Sequence, residues 1–258
     1  MNKKIIALGL AAVISAGAYG AQEFSSSVGL GVGAAMSPYQ GVGSTGTPLP
    51  LLSVQYGDFY VKTGDVNYSL LSIGYNFWKG DNYTLSAYVN PMGGFDVDRS
   101  EMDDGYNNLD KREYQFEGGL KAVVNTGWYD VKVQTHGTYG EEGGHLGAAV
   151  FKSYSVNPKF TVVPRVSATY FESDYVDYYF GVSKDEAFNR GNYKINKEYS
   201  PDGAFSFSLD VATSYELREN IKLISFAGVE KLSSEIKDSP IVEEDVLYRV
   251  GVGASYIF

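Results

Sequence analysis

The side chains best suited to chemistry are the two histidines of the chain, His136 and His145. A histidine with a Ser or Asp partner can activate a nucleophile for hydrolysis. His136 lies on the polar face of a predicted strand and His145 begins the next strand, so the two can meet beside residues 140–144. No nucleophile motif accompanies them in the sequence. We therefore expect no catalytic residue and no enzyme.

Two further patterns point to binding chemistry, and both are weak. Segment 96–105 holds five acidic residues, which hard cations favour, but its spacing departs from that of the helix–loop–helix calcium site. We expect a solvated loop and no metal. Gly29, Gly31 and Gly33 are spaced as in a phosphate-binding loop, yet Pro38 and turn residues follow where that motif needs a helix. We expect a strand there and no cofactor.

The elements around these candidates alternate with a period of two residues. In residues 114–124, for example, Phe116 and Leu120 lie on one face, whereas Glu117 and Lys121 lie on the other. Such segments recur along the chain, as in a barrel with lipid outside and a polar lumen inside. A soluble β-sandwich is the alternative, but it rarely has so many alternating segments in series.

We predict an all-β fold: an antiparallel up-and-down transmembrane β-barrel of about twelve strands, although ten or fourteen also fit the pattern. The predicted strands are residues 24–36, 48–56, 58–64, 67–78, 82–92, 113–125, 128–139, 145–155, 159–170, 203–216, 220–233 and 247–258. Connections of one parity are tight, and those of the other parity are mostly longer, namely 37–47, 65–66, 93–112, 140–144, 171–202 and 234–246. Because outer-membrane barrels have short periplasmic turns and long extracellular loops, we expect both termini in the periplasm of a Gram-negative cell.

The start of the chain supports export. Lys3 and Lys4 precede an apolar run and then small residues, which indicates a signal peptide over residues 1–21, with cleavage after Ala18, Gly20 or Ala21. Residues 22–258 are then one barrel domain. The chain has no cysteine, and its net charge of −10 argues against a nucleic-acid partner.

Charged side chains on the inward face are the candidates for the lumen. The same residues can form a network that plugs the barrel or can line an ion-selective pore, and the sequence does not separate the two. The predicted lumen-lining residues are Glu113, Glu117, Lys121, Asp130, Lys132, His136, Arg165, Asp210, Lys222 and Arg249.

The last eleven residues, 248–258, alternate strictly and stop on an aromatic residue. This pattern is typical of the closing strand of an outer-membrane barrel. We expect Tyr256 and Phe258 to serve as the signal read by the barrel-assembly machinery.

Several motifs resemble the MltA-interacting protein (MipA/OmpV) family of outer-membrane proteins. Residues 175–183 are similar to its tyrosine-rich YFGV segment, residues 238–242 are similar to its DSPIV segment, and Leu49-Pro50 also fits. Residues 175–182 alternate, so we expect them to fold over the barrel mouth or to extend the wall above the membrane. The motif residues are Tyr175, Tyr178, Tyr179, Phe180, Gly181, Val182, Asp238, Ser239 and Pro240.

The resemblance implies a non-enzymatic scaffold that brings a murein hydrolase and a murein synthase together. A small-solute channel and a surface adhesin or receptor, acting through loops 93–112 and 171–202, remain alternatives. The other expected partners are membrane lipid and lipopolysaccharide. If the acidic segment 96–105 has a function, it is weak bridging to lipopolysaccharide phosphates through divalent cations.

Overall fold

The computed structural model describes residues 26–258, and the predicted signal peptide lies outside them. These residues form one antiparallel sheet in which, except for β8 and β9, strands that follow one another along the chain pair with one another. The strands are β1 (Ser27–Ala35), β2 (Thr45–Tyr56), β3 (Phe59–Thr63), β4 (Leu71–Lys79), β5 (Tyr83–Gly93), β6 (Gln115–Asn125), β7 (Lys132–Gly140), β8 (Gly143–Phe151), β9 (Tyr154–Asn157), β10 (Phe160–Phe171), β11 (Ala204–Arg218), β12 (Ile221–Leu232) and β13 (Val246–Ile257).

The sheet closes into a barrel because its first and last strands pair. β13 lies antiparallel to β1, with Ser27 opposite Ile257 and Ala35 opposite Arg249. The short β9 pairs with β10 on the same edge as β8, so the two share one position in the wall. The predicted twelve-stranded barrel is therefore confirmed. Closure leaves no strand edge to lipid, where an unpaired backbone group would be costly.

Alternation of side chains gives the wall two different surfaces. Outward residues are apolar, and Leu30 is 72% exposed on the bare barrel. Inward residues are mostly polar or charged, and Glu117 is 0% exposed, although a small apolar cluster that includes Leu49, Phe151 and Phe226 also faces inward. This is the arrangement expected for a wall between lipid and an enclosed interior. In the described part of the chain, no helix has the length and apolarity that a membrane crossing requires.

The two ends of the barrel differ in the length of their connections. At one end, here called the turn end, residues 57–58, 80–82, 126–131, 158–159 and 219–220 join strands. At the other, the loop end, the long connections are 36–44, 64–70, 94–114, 172–203 and 233–245. The predicted asymmetry is present, except that 140–144 is a tight hairpin in which only residues 141–142 lie between strands. Phe258 N–H donates to Ser26 O at 3.0 Å, so the two ends of the described chain meet at the turn end.

Several strand starts differ from the prediction; among them, β2 begins at Thr45 rather than at residue 48, and β8 at Gly143 rather than at residue 145. β4 begins at Leu71 rather than at residue 67, β6 at Gln115 rather than 113, and β7 at Lys132 rather than 128. In the β6–β7 turn, Tyr129 and Asp130 have φ values of 49° and 56°. Two consecutive left-handed residues cannot continue a strand, so the alternation predicted there stops.

Helices occur only in the connections of the described chain. They are α1 (Ser173–Phe180), α2 (Lys184–Ala187) and α3 (Ser234–Lys237), all at the loop end. Of the two predicted alternatives for residues 175–182, extension of the wall was wrong, because residues 175–180 are helical and lie over the barrel mouth. The buried residues of α1, Tyr175, Val176, Tyr179 and Phe180, are spaced i, i+1, i+4 and i+5, which places them on one helical face.

Glycines allow a close approach where the barrel closes. Gly31 of β1 lies opposite Gly253 of β13. A Cβ on Gly253 would lie 2.7 Å from the Gly31 Cα, and one on Gly31 would lie 2.7 Å from the Val252 carbonyl oxygen. A side chain at either position would push the two strands apart.

Candidate functional site

Buried charges of both signs fill the interior of the barrel. Among the described residues, four carboxylates and four cations of the lumen are buried: Asp65, Glu117, Asp210 and Glu230, with Lys62, Lys121, Arg165 and Arg249. These charges balance when both histidines are neutral. Balance matters because an isolated charge is costly to bury, whereas a paired and hydrogen-bonded charge is tolerated.

Residues 64–70, here called the inserted loop, fold into the lumen from the loop end. Asp65 is 1% exposed and accepts a hydrogen bond from Lys121 of β6. Gln134 of β7 donates to the Asp65 backbone oxygen at 2.9 Å. The loop therefore binds two neighbouring strands of the wall through one residue.

The next residues of the inserted loop reach other strands. Asn67 accepts from Arg165 of β10 at 2.8 Å and donates to Thr169 at 3.1 Å. Tyr68 donates to Glu230 of β12 and has a left-handed backbone, with φ of 59°. The loop thus spans the lumen between opposite parts of the wall, and a strained tyrosine fixes its far end.

Arg249 of β13 joins two acids from neighbouring strands. Its Nη2 lies 2.6 Å from Asp210 Oδ1, and its Nη1 lies 2.9 Å from Glu230 Oε2. Planar guanidinium geometry allows one arginine to serve both carboxylates. Since Glu230 also accepts from Tyr68, this group ties β11, β12 and β13 to the inserted loop.

The mouth of the barrel is closed by a second structure, here called the cap: residues 36–44, 94–114, 172–203 and 233–245. Its buried apolar side chains form one cluster that includes Tyr39, Leu109, Tyr179 and Ile241. Every cap segment contributes to that cluster. The mouth is therefore sealed by a packed hydrophobic core instead of by separate flexible loops.

Side chains from other cap segments satisfy the end of α1. Tyr39 Oη donates to Tyr179 O at 3.0 Å, Ser239 Oγ donates to Phe180 O at 2.6 Å, and Arg112 Nη2 donates to Gly181 O at 3.1 Å. These carbonyls would otherwise be unpaired at a helix end. Burial raises the pKa of Tyr39, Tyr175 and Tyr179, so their hydroxyls remain neutral.

A buried ion pair holds two cap segments together. Arg112 Nη2 lies 3.0 Å from Glu186 Oε1, and the same carboxylate accepts from the backbone of Asp110 and Ser183 at 2.9 and 2.8 Å. Burial raises the pKa of Glu186, but the Arg112 charge and these backbone N–H groups outweigh that effect. The pKa of Glu186 is therefore below its usual value.

The two histidines lie together in the lumen below α1. The ring centroids of His136 and His145 are 5.6 Å apart, and the Tyr175 ring is 5.5 Å from that of His145. His145 Nε2 is 3.8 Å from Glu117 Oε2, which exceeds hydrogen-bond distance. Thus the sequence prediction that the histidines can meet is correct, and the acid beside them is Glu117.

The described residues offer no group of three or more His, Asp or Glu that could hold a metal ion. In the acidic segment, Asp98 accepts from Ser100 N–H at 2.9 Å and begins the short 3-10 turn Arg99–Glu101. A small cavity of about 40 Å³ lies under the cap, between Tyr39, Phe95 and Glu230. The Tyr39 hydroxyl and both Glu230 oxygens are already hydrogen-bonded, so the cavity presents little free polar chemistry from these groups.

The structure separates the predicted lumen residues into three sets. Lys132 and Lys222 are partly buried. Glu113 precedes β6 and is exposed beside Lys111, and Asp130 lies in the exposed β6–β7 turn. The buried set is Glu117, Lys121, His136, Arg165, Asp210 and Arg249.

Sequence reasoning missed four partners of these side chains: Lys62, Asp65, Asn67 and Glu230. Three of them lie in or beside the inserted loop, of which the sequence analysis predicted only residues 65–66 as a connection and assigned the rest to strands. Glu230 could have been found, because it shares the parity of inward-facing Phe226 on β12.

The motif residues belong to the cap. Tyr175, Tyr179, Phe180 and Val182 are buried in its core. Asp238 ends α3, and Ser239 accepts from Ile241 N–H at 3.4 Å, as a turn at residues 238–240 requires. These residues connect α1 to α3 through the Ser239–Phe180 hydrogen bond.

Fold and site together define an outer-membrane β-barrel with a filled lumen and a mouth closed by its own connections. Residues 28–258 match the family model described as MltA-interacting protein MipA, and the chain belongs to that family. It is 25% identical to the MltA-interacting protein of Escherichia coli K12 over 258 residues, which cover 99% of this chain and 98% of the relative. It is also 30% identical over 201 residues to outer membrane protein Omp26La of Vibrio anguillarum. These residues cover 75% of this chain and 74% of the relative.

One solved structure with a similar fold is the CymD monoaromatic hydrocarbon channel. The TM-score is 0.47 at 8% identity, and the match covers 98% of each chain. The predicted family and outer-membrane location are confirmed by the relatives.

Proposed function

We propose that the chain is a non-enzymatic scaffold of the outer membrane that holds a murein hydrolase, and a synthase with it, at the periplasmic face. The observation that carries the proposal is the filled interior, where the cap core and the inserted loop occupy the space that a solute would need. A rigid, closed barrel suits a protein that presents a surface. The relative named MltA-interacting protein, similar over nearly the whole chain, supports a partner of this kind.

One turn at the turn end is long enough, and exposes enough aromatic surface, to be a candidate contact site for a partner. Among the connections at that end, the β6–β7 turn, residues 126–131, is the longest. It exposes Trp128 and Tyr129, at 68% and 71%, with ring centroids 5.3 Å apart. Aromatic side chains with few rotamers are frequent anchors of protein interfaces. We place the contact with the hydrolase at this turn.

Crosslinking followed by purification tests the scaffold. The tagged full chain, solubilised in detergent after crosslinking in cells, should carry a murein hydrolase. The double change Trp128→Ser and Tyr129→Ser should reduce that recovery several-fold, as is usual when interface anchors are lost. Tyr56→Ser, at another exposed aromatic near the turn end, is the matched control and should leave recovery unchanged. Absence of any murein enzyme from the crosslinked wild type would reject the scaffold.

The channel and adhesin alternatives have less support from the geometry. The inward face is polar, as a channel requires, but its charges bind one another and the inserted loop. An adhesin needs adaptable outer loops, whereas here they are packed into one core.

The outward apolar residues fit contact with lipid, and the exposed acidic cap residues fit divalent-cation bridging to lipopolysaccharide.

A further inference from the structure

The proposed scaffold function gives no role to the pair of histidines in the lumen. His136 and His145 are 6% and 2% exposed. His136 Nε2 and both ring nitrogens of His145 have no hydrogen-bond partner among the described residues. Buried polar atoms are nearly always paired, so such a cluster calls for an explanation in terms of function.

The pair faces both elements that fill the barrel. His145 contacts Tyr175 of α1 and Tyr68 of the inserted loop, with centroids 5.5 and 5.8 Å apart, and it faces Glu117 of β6. The ring of Phe171, at the end of β10, is 6.1 Å away. His145 thus lies where the cap, the inserted loop and the wall meet.

The charged surroundings of His136 are different. Arg165 of β10, Lys121 of β6 and Asp65 of the inserted loop all act on it, together with His145. Two of these groups are cations and one is an anion. Arg165 and Lys121 would therefore repel a charged His136, and Glu117, 3.8 Å from His145 Nε2, would attract a charged His145.

We propose that His136 and His145 are a proton-binding gate: protonation loosens the inserted loop and α1, and the barrel then passes small ions. The proposal goes beyond the scaffold and does not depend on it. Histidine is the side chain whose charge ordinarily changes between about pH 5 and 8. Each added proton disturbs a lumen in which four carboxylates balance four cations.

The disturbance acts on the contacts that hold the inserted loop. Lys121 and Arg165, which a charged His136 repels, are the partners of Asp65 and Asn67. A charged His145 attracts Glu117 away from Asn90 and Gln115, which now donate to it at 3.3 and 3.2 Å. Both shifts weaken the contacts that hold the barrel closed. The inserted loop, whose Tyr68 has a strained backbone, can then move into another conformation.

Planar-bilayer recording tests the gate with the purified full chain at about pH 7.5 and about pH 4.5, on either side of the usual histidine range. We expect ion conductance to rise at least about tenfold in acid, the effect of roughly 1.4 kcal/mol on the closed–open equilibrium. The variant His136→Gln with His145→Gln contains no histidine and should stay closed at both values. Glu244→Gln, an exposed cap residue, is the control and should open in acid like the wild type.

Two results would overturn the gate. One is a wild type that stays silent in acid, and the other is a histidine-free variant that opens as the wild type does. If that variant does not fold, as judged by heat-dependent gel mobility, the histidine ring signals of the wild type are followed by NMR against pH. Their titration must coincide with the conductance midpoint, and a mismatch of more than about one pH unit rejects the proposal.

Discussion

The carboxylate of Asp65 accepts a hydrogen bond from Lys121 inside the barrel, and the two side chains are 0% and 4% exposed. This ion pair joins the inserted loop to the wall at a distance of 56 residues along the chain. Lys62 lies in the same electrostatic environment, where Asp65 and Lys121 both act on it. Asp65 therefore compensates two buried cations.

Replacing Asp65 with alanine should leave these cations without their acid. Loss of one partner of a buried pair typically costs about 3–5 kcal/mol. The Asp65→Ala barrel should unfold at a lower urea concentration than the wild type in detergent, measured by loss of β-sheet circular dichroism. Asp81→Ala, in an exposed turn, is the control. Equal midpoints for the two variants would contradict the role assigned to Asp65.

Acid should weaken the cap through Glu186. A carboxyl group with a lowered pKa stabilises the folded state above its unfolded pKa, near 4.3, and that contribution is lost as the pH falls through the lowered value. Hydrogen exchange of residues 172–203, corrected for intrinsic rates, should therefore rise relative to the wall below about pH 4.

Glu186→Gln removes this carboxyl group and serves as the test variant. Its cap should exchange faster than the wild type at neutral pH and show a smaller additional increase in acid. Glu244→Gln, exposed on the same cap, should behave as the wild type does. A wild-type acid response retained in full by Glu186→Gln would assign the effect to another group.

The seam between β1 and β13 should be sensitive to a single methyl group. Gly253→Ala places a Cβ 2.7 Å from the Gly31 Cα, whereas Gly43→Ala, in the 36–44 connection, meets nothing within 4 Å. We expect less folded barrel from Gly253→Ala in a refolding assay that separates folded from unfolded chain by gel mobility. The cost should be about 1–3 kcal/mol, as for other overpacked sites. If both variants refold equally well, the seam tolerates more separation than the geometry indicates.

The wall was predictable because each of its determinants is local. Alternation places Phe116 and Glu117 on opposite faces whatever the partner strand is, and turn residues mark where a strand ends. The β6–β7 turn is the exception, since Trp128, Tyr129 and Asp130 continue the alternation while the backbone leaves the strand. The alternation of apolar and polar residues therefore did not predict the positive backbone φ angles at Tyr129 and Asp130.

The inserted loop and the cap could not be predicted from local patterns in the same way. Residues 175–180 satisfy both a strand pattern and a helical face, and packing in the cap decides for the helix. The inserted loop is fixed by pairs such as Asn67 with Arg165, 98 residues apart, which only the three-dimensional arrangement reveals. Charge alternation identified Arg165 as inward-facing, but its partner lay in a segment predicted as wall.

The ring of Phe258 should matter for assembly rather than for the finished barrel. Its backbone N–H closes the ladder by donating to Ser26 O at 3.0 Å, while its side chain is 68% exposed and lies outside the sheet pairing. We propose that this ring, with Tyr256, is what the barrel-assembly machinery recognises. Phe258→Ala retains the backbone bond and removes only the ring, so it separates recognition from stability.

For Phe258→Ala we expect export to the periplasm at the wild-type level but several-fold less protein in the outer membrane, quantified by membrane fractionation. The fraction that does insert should have the wild-type urea midpoint. Deletion of Phe258, which also removes the hydrogen bond, should lower both quantities. Normal insertion of Phe258→Ala would show that the terminal ring is not the assembly signal, and a lowered midpoint would show instead that the ring stabilises the folded wall.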